Sequence, residues 1–146
     1  MAMSKKRQAI WDKSGGKCWY CGCDLPEKGW HADHFEPVLR TLEIVPREQR
    51  KNPHMMEFRH DGGFDRPELD NKENLVPSCA PCNLFKGTWS LEGFRRQLEL
   101  QVERARNSSV NFRNAERFGL INVTSNPVVF WFEKNGKSNG GGNEQD

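Results

Sequence analysis

Cys18-Trp19-Tyr20-Cys21 and Cys79-Ala80-Pro81-Cys82 are two C-x-x-C doublets separated by residues 22–78. Trp30-His31-Ala32-Asp33-His34 follows the first, Asn74-Leu75-Val76-Pro77 leads into the second, and Asn83 comes directly after Cys82. Two thiolates at this spacing can leave one tight turn toward adjacent corners of a tetrahedral Zn²⁺ site. The doublets therefore predict a four-thiolate zinc site made of Cys18, Cys21, Cys79 and Cys82. Four thiolates leave no open position for a substrate, so the predicted ion is structural. Its effect is to bring Asp33 and His34 close to Asn74 and Asn83. Cys23 is left over and reads as an incidental, partly buried thiol.

The order C-x-x-C, Asp-His, Asn, C-x-x-C-Asn-x-x-Lys resembles the HNH endonucleases, in their zinc-stapled branch. The resemblance spans residues 18–87 and rests on four motifs in sequence, not on any one of them. The family name calls for a final histidine; here that position is Asn83, a variant the family is known to use. The resemblance implies an α+β fold with a ββα-metal core and metal-dependent hydrolysis of DNA, most naturally double-stranded. Small free-standing proteins similar to this one are frequent in phages and mobile elements. That points to packaging, restriction or homing, with a second copy or a phage packaging protein as partner.

Phosphodiester hydrolysis needs an activated water, charge neutralisation on the phosphate and stabilisation of the departing 3′ oxygen. His34 suits the first, because an imidazole titrates near neutrality and can serve as a base. Asp33 and Asn83 suit the other two by holding one Mg²⁺ or Mn²⁺ through oxygen ligands, with open positions left for phosphate. By resemblance Asn74 orients the loop carrying the histidine, since an amide donates and accepts at once; Asn71 competes for that role. Lys86 lies three residues beyond Asn83, on the same helical face, and is a candidate phosphate contact. Neighbours on a regular strand point to opposite faces, so a distorted backbone is expected at Asp33-His34. His31 is a weaker auxiliary candidate, and His54 and His60 have no motif support. One such site attacks one strand, so a monomer is expected to nick.

The chain has 146 residues, 35% of them apolar, and a mean hydropathy of −0.87. A chain this small buries a modest core and gains from a metal cross-link. Five cysteines, an odd number, and the lack of a signal peptide favour zinc in a reducing, cytoplasmic setting over disulfides. No apolar run reaches membrane-spanning length, so a soluble protein without a membrane partner is expected. The formal net charge of +2 is uneven. Residues 1–17 carry +4 and 86–117 carry +3, around a −4 segment at 18–85. Basic flanks around an acidic centre suit phosphate on the outside and a cation within, although solvated helix faces give the same count.

Along the chain, Ser4 caps a predicted helix over 5–13 that stops at Gly15-Gly16. Lys5, Lys6 and Arg7 occupy its first turn, the wrong end for the helix dipole, and hint at a phosphate partner. Strands are predicted at 30–35 and 74–76, with residues 36–73 a long connection to which 38–39 and 42–45 add a short strand or turn. His60-Asp61-Gly62-Gly63 reads as a turn, and Arg47, Arg50 and Lys51 as a basic run for DNA. Pro81 opens a short helix that ends at Gly87. A longer helix capped by Ser90 presents Leu91, Phe94, Leu98, Val102 and Ala105 on one face, followed by a further helix near 112–118. Residues 120–123 and 128–132 read as a β-hairpin. The sequence is thus organised as one nuclease domain over 1–134, its motif core at 18–87, with a disordered tail at 135–146.

Two other function classes fit parts of the pattern. A zinc-ribbon module that binds nucleic acid without hydrolysing it needs only the cysteines, the basic flanks and the aromatic residues. A redox-active C-x-x-C protein lacks the βαβ context that such proteins need.

Overall fold

The Ser4 hydroxyl accepts from the backbone N–H of Arg7 and starts α1, Lys5–Asp12. The structure, a computed structural model, describes residues 2–138, 142 and 143. Ile10 is the buried anchor of α1. The Lys13 ammonium, just past its end, donates to the carbonyls of Lys72 and Leu75 at 2.7 and 2.6 Å. This pins α1 onto the chain entering β4. Arg7 stacks 3.9 Å over the Trp30 ring and donates to the Trp30 carbonyl. The first basic turn therefore spends one of its three charges inside the molecule.

Strand β1, His31–His34, pairs antiparallel with β4, Leu75–Ser78, in an unbroken register from His31↔Ser78 to His34↔Leu75. All four residues of β4 are buried. The first cysteine turn lies against β4's outer edge, where the Trp19 N–H donates to the Pro77 carbonyl. Helix α2, Ala80–Lys86, follows β4 directly, with Pro81 in its first turn and Gly87 at its end. Its Lys86 end packs on β1. Gly22 is required where the first cysteine turn closes: its φ is +79°, and a Cβ there would meet the Trp131 ring at 2.5 Å.

Between β1 and β4 the chain is more regular than its sequence suggests. Arg40–Ile44 (β2) and Phe58–Phe64 (β3) form a second antiparallel pair, with a short 3₁₀ turn at Arg47–Gln49 beyond β2. The His60-Asp61-Gly62-Gly63 stretch is not a turn between elements but lies inside β3. There the register slips between Arg40↔Phe64 and Leu42↔His60, so the turn chemistry makes a bulge. Gly62 takes φ +91°, and the Asp61 carboxylate accepts from Thr41 Oγ1 and the Gly63 N–H.

Helix α3, Leu91–Glu99, is capped by the Ser90 hydroxyl on the Gly93 N–H. The predicted long helix breaks at Leu100 and continues as α4, Gln101–Ser108, before α5, Val110–Arg117. Phe94 buries fully, with Leu91 and Leu98 packed beside it.

The predicted hairpin of 120–123 with 128–132 does not form. Leu120 is largely exposed, and the second segment docks elsewhere. Its Trp131 and Phe132 N–H groups donate to the carbonyls of Tyr20 and Trp19 in the first cysteine turn, at the start of α6, Trp131–Lys134. Phe130 and Phe132 bury there, against Tyr20, Phe94, Trp19 and Phe35 at centroid distances of 5.4–5.8 Å. The alternation of 128–132 is therefore real, but its partner is the aromatic core, not 120–123. Arg95 fastens this arm, donating to Glu133, Glu92 and the Val128 carbonyl and lying 4.7 Å from the Phe130 ring centroid. Of the tail expected to be disordered, Lys137–Ser138 (β5) and Gly142–Asn143 (β6) form a two-residue antiparallel ladder. Residues 139–141 and 144–146 lie outside the described ones.

The architecture is α+β: small antiparallel strand pairs and short helices around an aromatic core. Among the described residues, no helix is long and apolar enough to cross a membrane.

Candidate metal centre and histidine site

Both cysteine turns converge. Cys18 and Cys79 are buried, and the sulfurs of Cys18, Cys21, Cys23 and Cys79 all lie within 4.8 Å of one another. Cys21 Sγ and Cys79 Sγ are 3.8 Å apart. A tetrahedron with Zn–S bonds of about 2.3 Å has an edge of about 3.8 Å, so the spacing fits such an ion. These four cysteines can hold a metal ion such as zinc. The sequence predicted Cys82 and set Cys23 aside; the structure brings Cys23 into the group. Cys82, half-buried in the first turn of α2, lines the same pocket as Tyr20 and Cys21 but is not one of the four sulfurs that close on one another. No spacing rule flags Cys23. It arrives because Gly22 reverses the chain and the Cys18 N–H donates to the Cys23 carbonyl at 2.9 Å.

The crowding shows in the thiols' acidities. A hydrogen bond from Cys82, with backbone donors from Cys79, Cys21 and Tyr20, draws Cys18 down to about 4 against the effect of burial. That same Cys18 contact, with burial, pushes Cys82 up. Cys23 is pushed up to about 12, by burial first and then by Cys21 and Cys79. Sulfurs this close cannot all ionise beside one another without a cation among them.

Asp33 and His34 do not share a face. The β1 ladder is regular through His34, so the expected backbone distortion is absent and the side chains alternate. Asp33 turns inward, 8% exposed, and its Oδ2 accepts from the Tyr20 hydroxyl at 2.6 Å and lies 3.2 Å from the Lys86 ammonium. Burial first, and then the negative charge of Asp33, raises the Tyr20 hydroxyl well above its usual range. Lys86 is 0% exposed and also donates to the His34 carbonyl at 2.9 Å. As a contact for phosphate on the surface Lys86 is therefore a correction: its charge is committed inside, to Asp33 and the end of β1.

Asp33 Oδ1 has no hydrogen-bond partner among the described residues, yet it is not sealed off. Among the described residues, the buried side-chain N and O atoms left without a partner are the indole N–H groups of Trp19 and Trp30. That oxygen therefore meets solvent. Asn83 is half-buried in α2, one helical turn before Lys86, and its side-chain amide is without a hydrogen-bond partner among the described residues.

His34 is half-buried on the other face. Its Nε2 is 2.8 Å from Asp70 Oδ1, and its ring sits 6.2 Å from that of Phe64 at the end of β3. The loop beyond it is held by Asn74. The buried Asn74 amide accepts from the Glu36 N–H and donates to the Glu36 and Leu69 carbonyls, all at 2.8 Å. The Asn74 carbonyl also takes the Phe35 N–H. Asn71 has a different task, accepting from the Asn74 N–H as the cap of the Lys72–Asn74 turn. Asp70 and Tyr20 were missed in the sequence. Tyr20 sits inside the first C-x-x-C, where a side chain is expected to serve the turn, and Asp70 belongs to no motif.

His54 stands beside the β2·β3 arm, His60 lies in β3 with its ring 6.1 Å from that of Phe64, the residue that also packs on His34, and His31 is exposed at the start of β1. In the basic run, Arg50 is turned back onto the Val45 carbonyl at 2.8 Å, while the Arg47 and Lys51 side chains are exposed.

Comparison with family models, with curated proteins and with solved structures finds no match.

Proposed function

We propose that this protein is a metal-dependent DNA endonuclease of the HNH kind, with β1, β4 and α2 as its ββα-metal core. The observation that carries the reading is one juxtaposition. A half-exposed histidine sits at the last residue of a strand, its following loop clamped on both backbone groups by a buried asparagine. On the other face of that strand the Asp33 carboxylate is held by Tyr20 and by Lys86, and Lys86 lies one helical turn beyond the half-buried Asn83 in α2.

His34 acts as general base toward a water, and Asp70 on its Nε2 fixes the ring and stabilises the imidazolium that forms. Asn74 acts through the 34–36 loop and is a positioning residue. Lys86 and Tyr20 hold Asp33 in place and balance its charge, leaving Oδ1 outward. Asp33 Oδ1 and Asn83 fit a hard cation that keeps most of its waters, such as Mg²⁺ or Mn²⁺. When bound, that cation supplies Lewis-acid neutralisation of the phosphate and of the leaving 3′ oxygen. In-line displacement places attacking and leaving oxygens on opposite sides of phosphorus, which suits a base and a cation on opposite faces of one strand end. The zinc assigned to the cysteine cluster is structural and holds β4 and α2 to the first cysteine turn.

Supercoiled plasmid incubated with the protein tests the reading. Nicking that requires Mg²⁺ or Mn²⁺, stops with EDTA and is lost in His34→Ala is expected. DNA binding with no nicking under any divalent ion would replace the enzyme by a zinc-ribbon binding module.

A further inference from the structure

The β2·β3 arm is turned inside out for a lone ladder. Cross-strand partners share a face, so the register Ile44↔Phe58 and Leu42↔His60 sets Leu42, Ile44 and Phe58 on one side. The pairing runs on past Ile44, where the Val45 N–H donates to the Glu57 carbonyl, and by the strand period Met56 continues the Phe58 row. All four apolar side chains are more than half exposed, and so is Met55 beside them. The ion pair of Glu43 with Arg59 and the hydrogen bond of Thr41 to Asp61 lie on the opposite side. There the chain folds its own 45–51 segment back: Arg59 also donates to Gln49, the Lys51 N–H donates to the Glu57 carboxylate, and Val45 is buried. The polar face thus has a cover, and the apolar face has none among the described residues. A two-stranded ladder is marginal in water unless an apolar face of it packs on something.

We propose that this face is a self-association surface, covered by the same face of a second copy of the chain, arm on arm. Its charge pattern asks for an apolar partner. The rows Leu42–Ile44 and Met56–Phe58 carry no charged side chain, and His60 and the exposed Arg40 follow only at the arm's root, so the patch offers nothing to a phosphate backbone. The patch also suits itself. A two-fold axis along the strands lays the Leu42–Ile44 row of each copy over the Met56–Phe58 row of the other, as two sheets pack in a sandwich. Its size is sufficient: a large side chain left half exposed offers about 100 Å², and five from each copy supply about 1,000 Å² in total, which a specific interface must reach. That is the low end of the range, so the dimer is a weak one that dissociates reversibly. The inference goes beyond the nuclease reading and does not depend on it. Where that reading holds, joining two copies brings two one-strand sites to one duplex.

Sedimentation velocity of the full chain over about a hundredfold range of micromolar concentration tests the proposal. A reversible shift from monomer to dimer is expected. Ile44→Lys and Phe58→Lys each put a charge into the patch and should weaken association by at least about tenfold. Their far-UV circular dichroism should match the wild type, because both side chains face solvent in the single copy. Arg47→Ala, in the segment on the opposite side, should leave association as it is. In the wild type the methyl resonances of Met55 and Met56 should shift with concentration, while that of Met3, packed on the core, does not. That measurement needs no variant and decides the matter if a lysine variant fails to fold. A monomer at every concentration would overturn the proposal. So would a dimer that survives both lysine substitutions with Met55 and Met56 unmoved, since its contact lies elsewhere. Weaker DNA binding by the lysine variants of a chain that stays monomeric, despite the added positive charge, would assign the face to nucleic acid instead. A monomer that still nicks plasmid removes the dimer only, and a dimer that never nicks removes the nuclease reading only.

Discussion

The β1·β4 pair and the β2·β3 pair are both antiparallel ladders, yet different physics holds each. Every residue of β4 is buried, and β1 is tied down by a buried ion pair and by aromatic packing. The β2·β3 arm leaves Leu42, Ile44 and Phe58 more than half exposed. Its order comes from the ladder, a bulge and local bonds such as Arg50 to Val45 and Arg59 to Glu43. The first pair is stable because distant parts of the chain meet there; the second is stable mainly through its own neighbours. His34 and Asp70 stand where the two regions join, close to Phe64 at the arm's root. A rigid base and a locally held arm around one histidine are what the proposed nuclease would need to grip a long polyanion beside a fixed base.

Removing the metal should separate the regions most sharply. Structural zinc contributes about 10–16 kcal/mol of apparent folding free energy in small zinc domains, so a strong chelator should unfold the β1·β4 region. Loss of near-UV circular dichroism from the buried Trp19 and Tyr20 is the expected readout. An unchanged spectrum after complete metal removal would show that packing alone sustains the core.

Lys86→Met comes next. It leaves Asp33 buried without its counter-ion, which typically costs about 3–5 kcal/mol. Lys86→Met combined with Asp33→Asn should recover part of that loss in urea melts. A neutral single variant would mean that Asp33 finds solvent or Tyr20 sufficient.

Asn74→Ala strips three hydrogen bonds from a buried position and strands the groups they served, an effect of about 2–3 kcal/mol. Cleavage at a temperature where the variant stays folded should fall further than stability does, because the histidine loop loses its clamp. Equal activity would deny Asn74 its positioning role.

On the arm the balance reverses. Arg47→Ala with Lys51→Ala should leave stability within about 0.5 kcal/mol of wild type. If both contact phosphate, the slope of log K against log salt should drop by about 2. An unchanged slope would take the arm out of the DNA interface.

The smallest effect is a pH dependence at the C-terminal arm. Arg95 hydrogen-bonded to Glu133 holds that carboxyl below its usual range. The stabilisation is fully present above the unfolded pKa near 4.5 and is lost as pH falls through the lower folded value. Tryptophan emission from Trp131 should therefore shift on acidification below that point, and Glu133→Gln should abolish the shift.

What could be read in advance follows the same division. The Ser4 and Ser90 caps, and Pro81 with Gly87, are local signals, and the elements they announce are in place, whereas the cysteine doublets announce a sulfur cluster that forms with Cys23 where Cys82 was expected. The role of residues 128–132 was not legible, because the alternation of a strand is the same whether its partner is a hairpin mate or the Trp19-Tyr20 turn. Lys86 was misread for a similar reason: helical spacing gives a face, not whether that face is wet. Asp33 was expected to share a face with His34 through a distorted backbone, and only the regular β1 register and the Tyr20 hydroxyl show that it turns inward. Cys23 entered the metal cluster through a chain reversal at Gly22 that no spacing rule encodes.

The central claim is that His34 and a cation held by Asp33 and Asn83 work on one phosphate. Mn²⁺ titration followed by the histidine ring resonances tests it directly, since a paramagnetic ion broadens the rings nearest to it. The account predicts that His34 broadens well before His54 and His60, that excess Mg²⁺ reverses the effect, and that Asn83→Ala weakens it. A His34 signal that stays sharp at Mn²⁺ concentrations supporting DNA cleavage would contradict the account.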